Sequence, residues 1–160
     1  MNQYIYRMRV CIGGTFDTLH KGHKILINKA FQTAGKQGSV FIGITKGEIT
    51  KTKGNIKSFE ERKKTIEQYL LKKGYTNSAT IKPIKDKYGP SIKDEFDAIV
   101  ISPETKSTAE EINNIRRQNM KKPLKIVQIP FGFANDRTPI SSSRIRKKEI
   151  DENGRVLKID

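Results

Sequence analysis

Apolar residues along the chain occur either in short runs or at the spacing of one helix face. The runs predict five strands, at residues 7–12, 40–44, 79–84, 98–101 and 124–129. Nearly unbroken runs of this kind are typical of strands covered on both faces of a sheet. Pro83 has no N–H to donate to a neighbouring strand, so the third strand is predicted to lie at a sheet edge.

Helix signals lie between these strands. Apolar residues within 27–34 follow an i, i+3, i+4, i+7 pattern, and Gly35 supplies a stop. Two Ser-x-x-Glu capping boxes predict helices that begin at Ser58 and Ser107, and residues 141–143 predict a helix N-cap before a short basic segment. Strands that alternate with helices in this way predict one α/β domain with a Rossmann-like, doubly wound, five-stranded parallel sheet.

Composition narrows the class of protein. The chain has 160 residues, with 32 Lys and Arg against 17 Asp and Glu, and a formal charge of +15. No run approaches the ~18 apolar residues of a membrane span, and the first residues lack the apolar region of a signal peptide, so a cytoplasmic protein is predicted. The charge leaves two kinds of partner open, a nucleic acid or a small polyanionic substrate.

The segment from Gly13 to His23 is the first candidate for chemistry. Two glycines follow a strand and allow the backbone to approach a ligand closely. His20 and His23 lie at the start of the first helix, where free N–H groups and the helix dipole favour an anion. With Thr15 they predict a phosphate cradle. A His-x-x-His pair can also bind a metal, but one cysteine and two histidines in the chain make a protein metal site implausible, and none is predicted.

Two further polar clusters follow later strands. The hydroxyls of residues 141–143, next to Arg146, suit the phosphates of a nucleotide, although an ordinary helix N-cap explains the serines equally well. Residues 101–105 directly follow a strand, and Asn113 and Arg116 lie in the next helix. A strand end, a turn and an amphipathic helix without any ligand would give the same pattern.

The residues Gly-Gly-Thr-Phe-Asp-Thr-Leu-His-Lys-Gly-His at 13–23 resemble the signature of the HxGH nucleotidyltransferase superfamily. The segment Ile-Ser-Ser-Ser-Arg-Ile-Arg at 140–146 resembles its second signature. A narrower pattern, Ile-Ser-Pro-Glu-Thr at 101–105 followed by Ile-Asn-x-x-Arg and preceded by Tyr-Gly-Pro at 88–90, is similar to the archaeal-type phosphopantetheine adenylyltransferases. The predicted division is an N-terminal extension at 1–6 and a nucleotidyltransferase domain at 7–160.

The resemblance implies an enzyme of coenzyme A biosynthesis that transfers the adenylyl group of ATP to 4′-phosphopantetheine, giving dephospho-CoA and pyrophosphate. It implies that His20, His23 and Lys53 are catalytic and that Thr15, Lys53 and Arg62 bind the acceptor; Lys51 is an alternative to Lys53. The ATP-binding residues that it implies are Gly13, Gly14, Thr15, Phe16, His20, His23, Ser102, Glu104, Asn113, Arg116, Ser141, Ser142, Ser143 and Arg146. Nucleotide chemistry adds an expected Mg²⁺, bound mainly through the ATP phosphates.

Other functions remain as alternatives. An FMN adenylyltransferase or a glycerol-phosphate cytidylyltransferase would share the HxGH loop. A non-enzymatic basic module that binds nucleic acid is the alternative of another class, based on the charge and on the lysine- and arginine-rich stretches at 51–57 and 144–148. Because no RRM, KH or helix-turn-helix signature is present, no specific nucleic-acid partner is predicted. Since no apolar run is long enough for a membrane span, no membrane partner is predicted either. The oligomeric state is left open.

Overall fold

A computed structural model describes residues 5–130 and 137–157. The five predicted strands form one sheet in which each described pairing is parallel. The strands are β1 (Arg9–Gly14), β2 (Ser39–Thr45), β3 (Ala79–Ile84), β4 (Ala98–Ile101) and β5 (Lys125–Gln128). Their order is β3-β2-β1-β4-β5, so the winding reverses beside β1, at the switch point where sheets of this kind bind ligands. The predicted fold class is confirmed, and Pro83 lies on the edge strand β3 as expected.

In the described ranges, four α-helices connect or follow the strands. They are α1 (Lys21–Ala34), α2 (Phe59–Lys73), α3 (Lys106–Gln118) and α4 (Ser142–Arg146). The predicted caps at Gly35 and Ser58 are confirmed: Gly35 has a positive φ of 73°, and the Ser58 hydroxyl accepts the Glu61 N–H. The predicted start of α3 at Ser107 is wrong. A 3-10 turn at Pro103–Thr105 precedes the helix and Thr105 is the N-cap, because the fixed φ of Pro103 starts the helical path earlier.

Each face of β1 packs against a different layer, because successive side chains along a strand point to opposite faces. Val10 and Ile12 are buried in a core that includes Ile27 of α1. Cys11 is buried on the other face in a cluster with Ile112 of α3. The sheet therefore lies between helices, and the loops that follow its strands meet at one edge.

Some predictions lie outside the described residues. These are most of the predicted extension at 1–6 and, within the predicted domain at 7–160, residues 131–136 and 158–160. Within the described part of the chain, no helix is both long and apolar enough to cross a membrane.

Candidate active site

The loop between β1 and α1 is the segment that carries the first signature. It turns at Phe16, which has a positive φ of 50°. The Phe16 ring is 2% exposed and packs against His23 with ring centroids 5.0 Å apart. A Cβ at Gly14 would lie 3.1 Å from the Phe16 ring, so a glycine there lets the loop fold over it. At that burial the Phe16 side chain supports the loop from inside, and the expectation that Phe16 binds ATP stays a prediction.

His20 begins α1 as its N-cap. Its Nδ1 accepts hydrogen bonds from the backbone N–H groups of Gly22 and His23, at 3.0 and 3.3 Å. Because Nδ1 accepts, the neutral ring carries its proton on Nε2, which leaves one donor. The rings of His20 and His23 stack with centroids 3.7 Å apart. A Cβ at Gly22 would lie only 2.9 Å from Cε1 of His20, which explains the glycine between the two histidines.

The first N–H groups of α1 are already used by the protein. Those of Gly22 and His23 bind His20, and that of Lys21 donates to the Glu152 carbonyl at 2.9 Å. The expectation of free helix N–H groups for an anion is therefore wrong. An anion at this end of α1 would be bound by side chains, with help from the positive end of the helix dipole.

Both histidines are neutral at pH 7. Burial lowers the pKa of His20 from 6.5 to about 4. Burial also lowers the pKa of His23 to about 3, helped by the neighbouring His20 and opposed by the Thr18 carbonyl. That carbonyl lies 2.9 Å from Nδ1 of His23 and can only accept, whereas the backbone N–H of His20 lies farther from the same atom, at 3.4 Å, so the shorter contact assigns the proton to Nδ1. Positive charge for a polyanion must then come from lysine and arginine side chains.

Arg62 joins three segments around the site. It is 3% exposed, and its Nη1 donates to the carbonyls of Thr15 and Thr45 at 2.9 and 2.8 Å. Its Nε donates to the Lys57 carbonyl at 2.9 Å. The Nε and Nη1 atoms of Arg62 are thus bound to backbone, and its expected contact with the acceptor stays a prediction. Arg62 positions the loop that carries Thr15.

Asp17 is a residue of the first signature that sequence reasoning quoted but gave no role. It is 5% exposed, accepts the Lys57 N–H at 2.8 Å, and pairs with Arg146 of α4. The Ser142 hydroxyl also reaches the Thr18 carbonyl at 3.5 Å. These contacts bring the second signature against the first, although the two lie far apart in the sequence. The signal that could have identified Asp17 is a carboxylate inside a loop expected to bind an anion.

The serines of the second signature divide their tasks. Ser141 is the N-cap of α4, and its hydroxyl accepts the Arg144 N–H at 3.2 Å, which confirms the predicted cap. Ser142 is half-buried beside the first signature, whereas Ser143 is exposed.

An apolar cavity of about 220 Å³ opens beside these loops. Five residues predicted for the site line it: Gly13, Gly14, Thr15, Lys53 and Ser102. Its walls come from the sheet, through Cys11, Phe41 and Ile99, and from α3, through Ala109 and Ile112. Burial raises the pKa of the Cys11 thiol to about 12, so this thiol is an apolar wall group rather than a nucleophile. The cavity thus joins a polar mouth to an apolar interior.

The α3 residues predicted to line the nucleotide side lie elsewhere. Asn113 is buried, and its side chain bonds both the N–H and the C=O of Leu124, at 2.7 and 2.9 Å. Arg116 is 1% exposed and donates to backbone carbonyls, among them those of Ser91 and Asp94. Glu104 is exposed on the turn before α3. The Asn113 amide and the Nε and Nη1 atoms of Arg116 thus serve the fold, and the ligand roles expected of these two residues stay predictions.

Comparison with known proteins gives a consistent result over most of the chain. Residues 11–148 match the family described as Cytidylyltransferase-like. The chain is 42% identical over 151 residues to the phosphopantetheine adenylyltransferase of Methanosarcina mazei, covering 94% of this chain and 97% of that protein. It is also 42% identical to the phosphopantetheine adenylyltransferase of Methanopyrus kandleri, covering 90% and 91%. A crystal structure of an Archaeoglobus fulgidus protein of unknown function superposes with a TM-score of 0.69 at 32% identity, covering 76% of this chain and 89% of that chain.

Proposed function

The chain belongs to the cytidylyltransferase-like family, and from that premise we propose that it transfers the adenylyl group of ATP to 4′-phosphopantetheine. The products are dephospho-CoA and pyrophosphate, and the reaction is a step of coenzyme A biosynthesis in the cytoplasm. Near full-length similarity to archaeal phosphopantetheine adenylyltransferases supports the choice of acceptor. The structural observation that carries the proposal is an apolar cavity whose mouth holds Thr15 and Lys53.

The shape and polarity of this cavity suit the acceptor. 4′-Phosphopantetheine has a phosphate at one end, a branched apolar segment next to it, and an arm with two amides. Its phosphate would meet Thr15 and Lys53, while the branched segment enters the space between Phe41 and Ile112. Burial of apolar groups in such a pocket favours binding, and the few polar groups at its mouth fix the orientation.

Nucleotide binding is assigned to the residues around the start of α1. His20 and His23 lie outside the cavity lining, beside α4 and the C-terminal segment. The Asp17 carboxylate holds Arg146 near the backbone of Lys53, with an Arg146 Nη2 to Lys53 oxygen distance of 3.5 Å. In this proposal Arg146 and the α4 serines bind the β- and γ-phosphates. The α-phosphate then lies between the histidines and Thr15, next to the acceptor.

The chemistry requires alignment rather than a general base. The acceptor phosphate is already an anionic nucleophile at pH 7, so its oxygen attacks the α-phosphorus as the bond to the bridging oxygen breaks and pyrophosphate leaves. The Nε2–H of His20 stabilises the charge that develops on the α-phosphoryl oxygens. The net charge of +15 attracts both polyanions and offsets their mutual repulsion.

Mg²⁺ belongs to the same proposal. In the described ranges 5–130 and 137–157, no group of three or more His, Cys, Asp or Glu side chains is placed to hold a metal. We therefore assign its ligands to the ATP phosphates and water, a common arrangement for this ion. Bound there, Mg²⁺ supplies positive charge that neutralises the phosphates. Activity should accordingly disappear with EDTA and return with added Mg²⁺.

The assay that tests the function is pyrophosphate release. Purified protein with ATP and Mg²⁺ should release pyrophosphate with 4′-phosphopantetheine and not with FMN, and CTP with glycerol phosphate should give none. Release with FMN alone would show that the chain is a different nucleotidyltransferase. The absence of release with every acceptor would contradict the enzyme assignment and leave the basic nucleic-acid-binding module as the alternative.

Two lysines of the turn after β2 allow a matched test of the acceptor side. Both are exposed, but Lys53 lines the cavity, whereas Lys51 pairs with Glu48 at 2.7 Å. Replacing Lys53 by Ala should raise KM for 4′-phosphopantetheine about 10- to 100-fold, since it removes a charged hydrogen bond of roughly 1.5–3 kcal/mol, and should leave KM for ATP unchanged. Lys51→Ala should leave both constants unchanged. The reverse pattern would assign the acceptor phosphate to Lys51.

A further inference from the structure

The Tyr-Gly-Pro turn after β3 has no role in the function derived so far. The Asp86 carboxylate accepts the N–H groups of Tyr88 and Gly89, at 2.9 and 2.8 Å. Gly89 has a positive φ of 53°, and a Cβ there would lie 2.7 Å from Cγ2 of Ile84. The turn is therefore folded tightly onto the end of β3. Tyr88, Pro90 and Ser91 line the apolar cavity.

Arg116 fastens this turn to α3 from the inside. Its Nη1 donates to the carbonyls of Ser91 and Asp94, at 2.8 and 2.9 Å, and its Nε donates to that of Lys122 at 2.8 Å. A cation that is 1% exposed is tolerated only when hydrogen bonds compensate its burial. The guanidinium is thus committed to holding the turn and the end of α3 together.

A second connection lies at the rim of the cavity. Tyr88 donates its hydroxyl proton to the Glu111 carboxylate at 2.8 Å, and Lys87 pairs with the same carboxylate at 2.7 Å. The turn is therefore attached to α3 at two places, by the buried Arg116 and by the partly exposed Glu111. The side chain of Tyr88 also packs against the apolar wall of the cavity, which includes Ile112 of α3.

On the basis of the proposed function, we propose that Arg116 is a positioning residue for acceptor selection. By holding the turn at 88–91 against α3, Arg116 sets the width of the cavity that receives the acceptor beyond its phosphate. Lys53 and the two histidines belong to other elements than this turn and α3. A wider cavity would therefore weaken contacts with the arm of the acceptor and leave contacts with the phosphates of both substrates unchanged. The Tyr-Gly-Pro and Ile-Asn-x-x-Arg patterns would then act together, because the arginine of the second pattern holds the turn formed by the first.

The test compares two acceptors in the full-length protein. One is 4′-phosphopantetheine, and the other is a shortened acceptor that keeps the phosphate and the first amide but lacks the terminal cysteamine. The measured quantity is the ratio of kcat/KM for the two, which does not depend on the fraction of enzyme that is folded. Arg116→Met should lower this ratio about tenfold, corresponding to about 1.4 kcal/mol of differential binding. KM for ATP should stay unchanged.

Two further variants separate positioning from a general loss of stability. Arg116→Lys keeps a donor in the same place and should recover part of the ratio. Arg117→Met is the matched control, because Arg117 is exposed and, within the described residues, donates to Asn114 alone, at 3.3 Å; it should leave the ratio unchanged. If Arg116→Met does not fold, Tyr88→Ala removes the cavity wall directly and should lower the ratio in the same way.

Several outcomes would overturn the inference. An unchanged ratio in folded Arg116→Met or in Tyr88→Ala, or a rise in KM for ATP in place of the change in acceptor preference, would show that Arg116 and this turn do not select the acceptor. Either result would leave the proposed function intact. If the wild-type protein fails to use 4′-phosphopantetheine at all, the proposed function itself fails, and the positioning role of Arg116 fails with it.

Discussion

At the start of α1, His20 uses one ring nitrogen to cap the helix and keeps the other as a donor, whereas in α3 the Asn113 amide and the Nε and Nη1 atoms of Arg116 are committed to backbone partners. Both regions carry polar residues in motifs that imply ligand contacts. The difference is the number of polar atoms left over once the fold is satisfied. A motif residue can bind substrate only where such an atom remains beside the cleft.

The most direct test of this difference between the two regions is to remove the remaining donor of His20 and keep its helix cap. Asparagine is a good N-cap residue, so His20→Asn should preserve the start of α1 while losing the Nε2–H. We expect kcat to fall by ~10²–10³, the cost of one preorganised donor. KM for ATP should change little, because the interaction strengthens in the transition state.

The control for this variant is His20→Ala. It should lose the same activity and about 1 kcal/mol of unfolding free energy as well, because alanine cannot cap the helix. Urea unfolding of both variants measures that difference. An unchanged kcat in His20→Asn would remove His20 from the mechanism and would make the two regions alike.

The second prediction concerns the opposite region. Asn113→Ala leaves the buried N–H of Leu124 without its side-chain partner, so the unfolding free energy should fall by about 1–3 kcal/mol. KM for ATP should be unchanged, because Asn113 does not face the cleft. Asn114→Ala, at an exposed neighbouring position of α3, is the control and should be neutral in both measurements. A large rise in KM for ATP would restore Asn113 as a nucleotide ligand.

The strands and most helix ends could be predicted because their signals are local. The expected strands at 79–84 and 98–101 coincide with β3 and β4. The histidine pair was likewise identified from a contiguous segment of eleven residues. What failed at α3 was also local in origin: a capping box at Ser107 suggested the helix start, but Pro103 had already begun it.

The role of Arg116 could not be read from the sequence, because its partners are distant along the chain. Ser91 and Asp94 lie 25 and 22 residues earlier, and only the packing of α3 against the turn brings them to the guanidinium. The pairing of Asp17 with Arg146 spans 129 residues. Residue type gives the chemistry of a side chain, but the tertiary fold decides whether its polar atoms bond to other parts of the protein or to a ligand.

The third prediction tests how closely the His20 ring is positioned. Gly22→Ala adds a Cβ 2.9 Å from Cε1 of His20, so the stacked ring must move. We expect kcat to fall about tenfold, less than the ~10²-fold that a 1 Å misplacement can cause. The melting temperature should change little, since alanine favours a helix. Lys21→Ala, at the exposed neighbouring position, is the control and should leave kcat unchanged. Equal kcat values for the two variants would show that the position of the His20 ring is not tightly constrained.

The smallest expected effect is the loss of stability between pH 7 and pH 6. The pKa values of His20 and His23 are about 4 and about 3 in the folded chain, below the unfolded value of 6.5. The unfolded state therefore binds protons first as the pH falls, and stability that is present above pH 6.5 is lost below it. Each histidine should contribute a loss of about 0.7 kcal/mol over this interval.

This interval isolates the two histidines, because they are the only ones in the chain and ordinary carboxylates stay ionised above pH 6. Urea unfolding at the two pH values should give a loss of about 1.4 kcal/mol for the wild-type protein and about half of it for His20→Asn. Asn113→Ala should show the wild-type pH dependence, since α3 holds no group that titrates there. Equal stability at pH 7 and pH 6 would mean that the folded rings are as basic as free imidazoles, and the start of α1 would then change from neutral donors to cations near pH 6.5.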